Sequence, residues 1–125
     1  MGTSVILLAH GSRDPRWKAP FEALLEEIRN VRKDVKLAYW ELTEPSLESV
    51  VEACVQAGEQ NLAVLPLFLA QGKHLREDLP AQIADLEARF PCTLRLLPPV
   101  GEHPEFAGFL ATLVGKLIEK EGADS

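Results

Sequence analysis

The chain has 125 residues, 46% hydrophobic and 26% charged, enough for one folded domain over 1–125 and too few for two, and this composition excludes disorder and fibrous repeats. Thirteen Lys plus Arg against 19 Asp plus Glu give a formal charge of -6, which argues against nonspecific binding to nucleic acid or to an anionic membrane as the main role. No apolar run reaches the roughly 18 residues of a membrane span, and Val5 to Ala9 lacks the basic start and the length of a secretory signal, so a cytoplasmic protein is expected.

Four short apolar runs begin near Val5, Val35, Leu62 and Thr93, each followed by a stretch of helical periodicity. Ser4 to Ala9 reads as the first strand. Trp17, Phe21, Leu24, Leu25, Ile28 and Val31 then mark a first helix. Val35 to Trp40 is the second strand, and Leu47, Val50, Val51, Cys54 and Val55 line the second helix. Leu62 to Leu69 is the third strand, with Pro66 marking a bulge or its end because proline cannot donate to the ladder. Leu79, Ile83, Leu86 and Phe90 mark the third helix and Thr93 to Leu97 the fourth strand. Phe106, Phe109, Leu110, Leu113, Val114, Leu117 and Ile118 mark the last helix, and Glu121 to Ser125 reads as a frayed tail. Four βα units in a row predict an α/β domain, a parallel sheet with helices on both faces. Central strands of such a sheet are buried on both faces. Lys36 and Arg95 therefore assign the second and fourth strands to the edges and give the order 2-1-3-4.

Cys54 and Cys92 form no CxxC or CxxH pattern, so no disulfide framework or zinc knuckle is predicted, and Cys54 shares a helical stripe with core residues. There is no GxGxxG, no GxxxxGK[ST] and no GxSxG around Ser12, which removes dinucleotide, P-loop and serine-hydrolase readings. In an open parallel sheet ligands bind beyond the carboxyl ends of the strands, where successive connections diverge. That point lies between the first and third strands. His10 follows the first strand, His74 lies in the loop after the third, His103 in the loop after the fourth, and Glu41 opens the loop after the second. Two neutral imidazoles beside a carboxylate can hold a divalent metal weakly and can accept protons near neutral pH. By spacing alone Glu44 competes with Glu41, and His103, before Pro104, serves equally well as a backbone anchor. Arg13, Arg16, Lys18, Lys73 and Arg76 gather on the same rim and, with the helix N-termini, suit a carboxylate-bearing ligand, although Asp14, Glu77 and Asp78 dilute the field. Trp17 and Trp40 read as core at their spacing, with stacking on a flat ligand as the alternative.

Ala-His-Gly-Ser-Arg-Asp-Pro at 9–15, Glu-Leu-Thr-Glu-Pro-Ser-Leu-Glu at 41–48, Pro-Leu-Phe-Leu at 66–69, His-Leu-Arg-Glu-Asp-Leu-Pro at 74–80 and Pro-Pro-Val-Gly-Glu-His-Pro at 98–104 together resemble the CbiX/SirB sirohydrochlorin chelatases. The resemblance covers almost the whole chain, and the length resembles the short form of these class II chelatases. It implies a flavodoxin-like chelatase half that inserts a divalent metal, Co2+ first and Fe2+ or Ni2+ otherwise, into a sirohydrochlorin-type tetrapyrrole with no further cofactor. It implies His10 and His74 as metal-site histidines and Glu41 as their acidic partner, with Ser12, Arg13, Lys73 and Arg76 facing the substrate. Relatives commonly carry glycine just before the second histidine, where this chain has Lys73. Because the larger relatives enclose the macrocycle between two such domains, a homodimer is expected. A metal or tetrapyrrole carrier, and a flavodoxin-like binding domain with incidental histidines, are the readings from other classes.

Overall fold

In the computed structural model, which describes residues 2–124, the strands and helices alternate as β1 (Ser4–Ala9), α1 (Lys18–Arg29), β2 (Val35–Tyr39), α2 (Leu47–Gln56), β3 (Asn61–Pro66), α3 (Lys73–Arg89), β4 (Thr93–Leu96), a 3-10 turn (Val100–Glu102) and α4 (Pro104–Asp124). The strands are all parallel and stand in the order β2-β1-β3-β4, so the polarity of Lys36 and Arg95 located the edges correctly. Ile6 lies between Lys36 and Val64 in the ladder. Alternate residues feed two cores. Ile6, Leu8, Leu62, Val64 and Leu94 pack with Leu47, Val51 and Cys54 of α2 and Leu79, Ile83 and Leu86 of α3. Leu7, Ala9, Leu37 and Tyr39 face the other way, against Phe21, Leu25 and Ile28 of α1.

Burial pushes the Cys54 thiol up to about 12, with Glu59 reinforcing the shift, so it behaves as the small apolar core residue that its stripe suggested. Pro66 ends its strand rather than bulging it; Leu67 still donates a backbone bond to the Leu8 carbonyl at 2.8 Å, and the chain leaves the sheet after it. Trp40 and Leu97 lie one residue beyond their strands yet still donate backbone bonds to Ala9 and Val64 (2.8 and 2.9 Å).

Three expectations need correction. Helix α1 stops at Arg29, and Val31 is 83% exposed in the turn that feeds β2. Helix α3 starts at Lys73 rather than near Leu79, which places His74 in a first helical turn and not in a loop. Its first six residues, Lys73 to Asp78, are polar but for Leu75, so no apolar stripe announces the helix there. The segment expected to fray is helical through Asp124, while Ser125 lies outside the described residues. Among the described residues no helix is long and apolar enough to cross a membrane.

Leu79, fully buried at the root of that polar overhang, holds α3 to the sheet. Leu79→Ala is expected to cost about 2–5 kcal/mol, read as a lower urea midpoint with unchanged slope.

Candidate functional site

Because β1 lies between β2 and β3, the segment that follows it touches the segments that follow both neighbours. The Trp17 indole N–H donates to the His10 carbonyl at 2.6 Å, so Trp17 is a half-exposed rim residue rather than core. Trp40, in contrast, packs against the core of α2 and α3. A Cβ on Gly11 would overlap the Glu41 carbonyl and meet Thr43 Oγ1; only glycine allows so close an approach. One residue on, Ser12 N–H donates to Thr43 Oγ1 (2.8 Å), and the Thr43 hydroxyl donates back to the Ser12 carbonyl (3.0 Å).

This cross-brace sets His10 Nδ1 3.8 Å from Glu41 Oε1, with the two side chains 48% and 38% exposed. The His10 ring stacks on buried Phe68 at 4.3 Å between centroids. Phe68 in turn accepts from Gly101 N–H at 3.0 Å, and a Cβ on Gly101 would run into the backbone of Leu69. All four strand-end segments are thus tied around one imidazole. Glu41 Oε2 is shielded from solvent and has no hydrogen-bond partner among the described residues. A carboxylate oxygen so placed is costly unless a proton or cation meets it.

The structure also separates the competitors. Glu44 Oε2 accepts from Ser46 N–H at 2.9 Å, within the turn whose Ser46 hydroxyl caps α2 through Ser49 N–H, so Glu44 is a turn residue. His103 Nε2 bonds the Pro98 carbonyl at 2.9 Å and anchors its own loop. Asp14 takes the Arg16 guanidinium at 3.0 and 3.1 Å as well as the Arg16 N–H at 2.9 Å. That pairing holds the Asp14 carboxyl below its usual range and raises Arg16. Ser12 Oγ accepts from Asp14 N–H at 3.1 Å.

Arg13, Lys73 and Arg76 are exposed and have no ion pair among the described residues. Helix α3 has no side-chain cap and no acidic residue in its first turn, so the Lys73 ammonium stands against the helix dipole, which suits an anion arriving there. Its N-cap is Gly72 with ordinary extended backbone, so Lys73 occupies a helical position that does not call for glycine. His10 and Glu41 are brought together; His74 stands at the same end of the sheet, outside that pair. Among the described residues no group of three or more His, Cys, Asp or Glu converges. Two cavities, of about 350 and 540 Å³, lie elsewhere, beside Tyr39 at the β2 edge and beside Ser4 and Glu59 at the opposite end of the sheet.

Sequence reasoning missed Phe68, which reads as the last residues of a strand, and two exposed rim leucines. Leu42 is 61% exposed with φ of 64°, a left-handed conformation rare for a branched residue and a common mark of functional loops. Leu69 is 68% exposed. For Leu42 the available signal was an apolar residue inside a loop otherwise polar, Glu41 to Ser46; Leu69 sits in an apolar run that reads as strand.

The family model for CbiX matches residues 4–117. The crystal structure of a CbiX protein from Marinobacter aquaeolei VT8 is similar over 98% of this chain and 99% of that one, at 40% identity and a TM-score of 0.89. The sirohydrochlorin ferrochelatase of Bacillus subtilis (strain 168) is 32% identical over 93 residues, 73% of this chain and 36% of that protein. The sirohydrochlorin cobaltochelatase of Methanopyrus kandleri is 30% identical over 82 residues, 64% of this chain and 57% of that protein. The chain thus spans about half the length of these curated relatives.

Gly11→Ala is expected to force the first two strand-end segments apart. Overpacking of this kind costs about 1–3 kcal/mol, read by chemical denaturation, and a crystal structure of the variant should show His10 and Glu41 separated by more than 3.8 Å.

Proposed function

This chain belongs to the CbiX family, and from that premise we propose that it works as a single-domain sirohydrochlorin chelatase, with cobalt as the first metal. The observation that carries the reading is the His10–Glu41 pair over Phe68, with a shielded carboxylate oxygen left without a partner. Insertion exchanges one divalent ion for the two pyrrole protons of the macrocycle, so the site needs an exchangeable perch for the metal and an acceptor for protons on the same side of the ligand. His10 and His74 supply the perch as neutral imidazoles. Glu41 orients His10 and takes one of the two pyrrole protons, and an imidazole freed as the metal leaves for the macrocycle takes the other. Two imidazoles on an open rim hold a metal loosely; a closed tetrahedral set would retain it. Arg13, Lys73 and Arg76 meet the carboxylates of the macrocycle, and Ser12 serves by bracing the backbone that carries Arg13.

Two features support the finer points. Cobalt is favoured because the cobaltochelatase relative is nearer to this chain in length than the ferrochelatase relative, which the chain spans by only 36%. A homodimer is favoured because one rim offers a single wall, with Leu42 and Leu69 exposed upon it, and a flat macrocycle has two faces.

Anaerobic turnover of sirohydrochlorin with Co2+, Fe2+ and Ni2+ tests the reading. Catalytic insertion fastest with Co2+ is expected; stoichiometric binding without faster insertion would make the chain a carrier. His10→Ala and His74→Ala are each expected to lose most insertion while keeping the wild-type circular dichroism, since exposed rim side chains add little stability. Glu41→Gln keeps shape and removes charge, so turnover is expected to fall more than sirohydrochlorin affinity does, with Glu44→Gln close to wild type. Equal losses in the two Glu variants would return Glu41 to a structural role.

A further inference from the structure

Away from the rim, β2 forms one edge of the sheet, and the helices before and after it flank that edge from opposite faces. Along α1, Lys18, Glu22, Leu25 and Arg29 recur at helical spacing and share one stripe; Ser49, Val50 and Ala53 share a stripe on α2. Between the two stripes lies the cavity of about 350 Å³, with Leu37 and Tyr39 along it and Pro45 at the Tyr39 end. That volume falls in the range of small-ligand sites, roughly 300–1,000 Å³.

The strand edge is stoppered at both ends. Tyr39 N–H donates to the Pro45 carbonyl at 2.9 Å, and Arg29 Nε donates to the Val35 carbonyl at 3.0 Å. Between these bonds the alternation of the strand turns only the Leu37 N–H and carbonyl outward, too short a stretch to take up an added strand. The unmet group in the cavity wall is a phenol. Tyr39 is 1% exposed, and its hydroxyl has no hydrogen-bond partner among the described residues, a costly state for a buried polar group. Burial, with the Glu22 charge added, raises the pKa of this hydroxyl above the ordinary tyrosine value, so it keeps a proton to donate.

Charge on the walls selects the ligand. A crossover helix returns antiparallel to its strands, so Lys18 and Glu22 lie at the Tyr39 end of the cavity and Arg29 at the Lys36 end. Three cations and one acid line it, against the trend of a chain of charge -6. Arg29 is engaged with Val35, and Lys36 Nζ lies 3.6 Å from Glu59. Lys18 has no ion pair among the described residues. We propose that this cavity binds a small amphipathic carboxylate, an arene or short acyl chain bearing one acid group. Its carboxylate accepts from the Tyr39 hydroxyl and the Lys18 ammonium, and its apolar body lies along Leu37 between Leu25 and Val50. A tetrapyrrole macrocycle is too broad for this furrow, so the ligand differs from the proposed substrate and the site stands or falls apart from chelatase activity.

The test titrates the full 15N-labelled chain with 3-phenylpropionate, using 3-phenylpropionamide and 3-phenylpropylamine as neutral and cationic counterparts. Saturable amide shifts centred on Leu37 and Tyr39 are expected, with a Kd of about 1 mM or below for a probe this small, and binding of the other two weaker by about tenfold or more. Lys18→Gln is expected to bring the acid down to the affinity of the amide. Tyr39→Phe is expected to weaken the acid about tenfold while the urea midpoint of the unliganded protein stays level or rises, because an unpaired buried hydroxyl is removed. A lowered midpoint with unchanged probe affinity would mean that the hydroxyl serves the fold, and would overturn the proposal. Ala53→Phe, at an exposed helical position, is expected to fill the cavity and abolish the shifts with circular dichroism unchanged; shifts that survive it would place the probe elsewhere. Equal binding of the three probes would leave a plain apolar crevice, and tightest binding of the amine would put Glu22 in the place of Lys18; either overturns the carboxylate. Shifts centred on Arg13, Lys73 and Arg76 would assign the anion to the rim and overturn the site, as would no saturable shift at any concentration up to about twenty times that Kd.

Discussion

The rim is built around a contact that only a residue without a side chain permits, the approach of Gly11 to the carbonyl of Glu41. Parallel pairing makes it possible, since β1 runs beside β2 in register from Val5 opposite Val35 to Ala9 opposite Tyr39. The two chains therefore leave the sheet side by side and in the same direction. From there Thr43 locks the two loops through Ser12, Trp17 fixes the His10 carbonyl and Phe68 supports the ring from the β3 side. Each brace comes from a different connection, and none holds the imidazole without the strand order that makes them neighbours.

The chemistry left open by this framework is that of nitrogen and oxygen donors. Both cysteines are withdrawn from it: burial raises the Cys54 thiol to about 12 and raises Cys92 as well, so neither presents a thiolate to a soft metal. The charge of the whole chain is -6, yet the rim displays Arg13, Lys73 and Arg76 without ion partners among the described residues. Arg16 beside them is occupied by Asp14. Leaving cations at the start of α3, against its dipole, costs a few tenths of a kcal/mol or more each. The arrangement makes sense for a surface that meets a polyanionic ligand.

Fold and site were legible in the sequence to different depths. Strand order could be read because burial on two faces forbids charge, and Lys36 and Arg95 broke that rule where the edges are. The residue after β1 had to lie at the ligand-binding end, which singled out His10. The choice between Glu41 and Glu44 could not be read, since it depends on which carboxylate the turn at Ser46 consumes. Nor could the support from Phe68, because a strand residue that turns back under a neighbouring loop has the same period as one that stays in the sheet. The start of α3 escaped for a third reason: a helix that overhangs a rim is polar all round and shows no stripe.

Helix α4 marks the deepest of these limits, since its stripe was read correctly and its location was not. Amphipathic periodicity states that a helix will be covered, and it is silent about which molecule supplies the cover. A helix of this kind standing free in water has little to hold it, because most helical stability comes from packing of the apolar face. The segment before it supplies little of that packing: α4 lies mainly against the 3-10 turn, and its residues from Phe109 to Ile118 keep their apolar side chains exposed. The helix departs from the segment in which Gly101 bonds Phe68, the residue on which His10 stacks. The placement of α4 and the geometry of the site therefore share one short stretch of backbone, so a change at Gly101 reaches both.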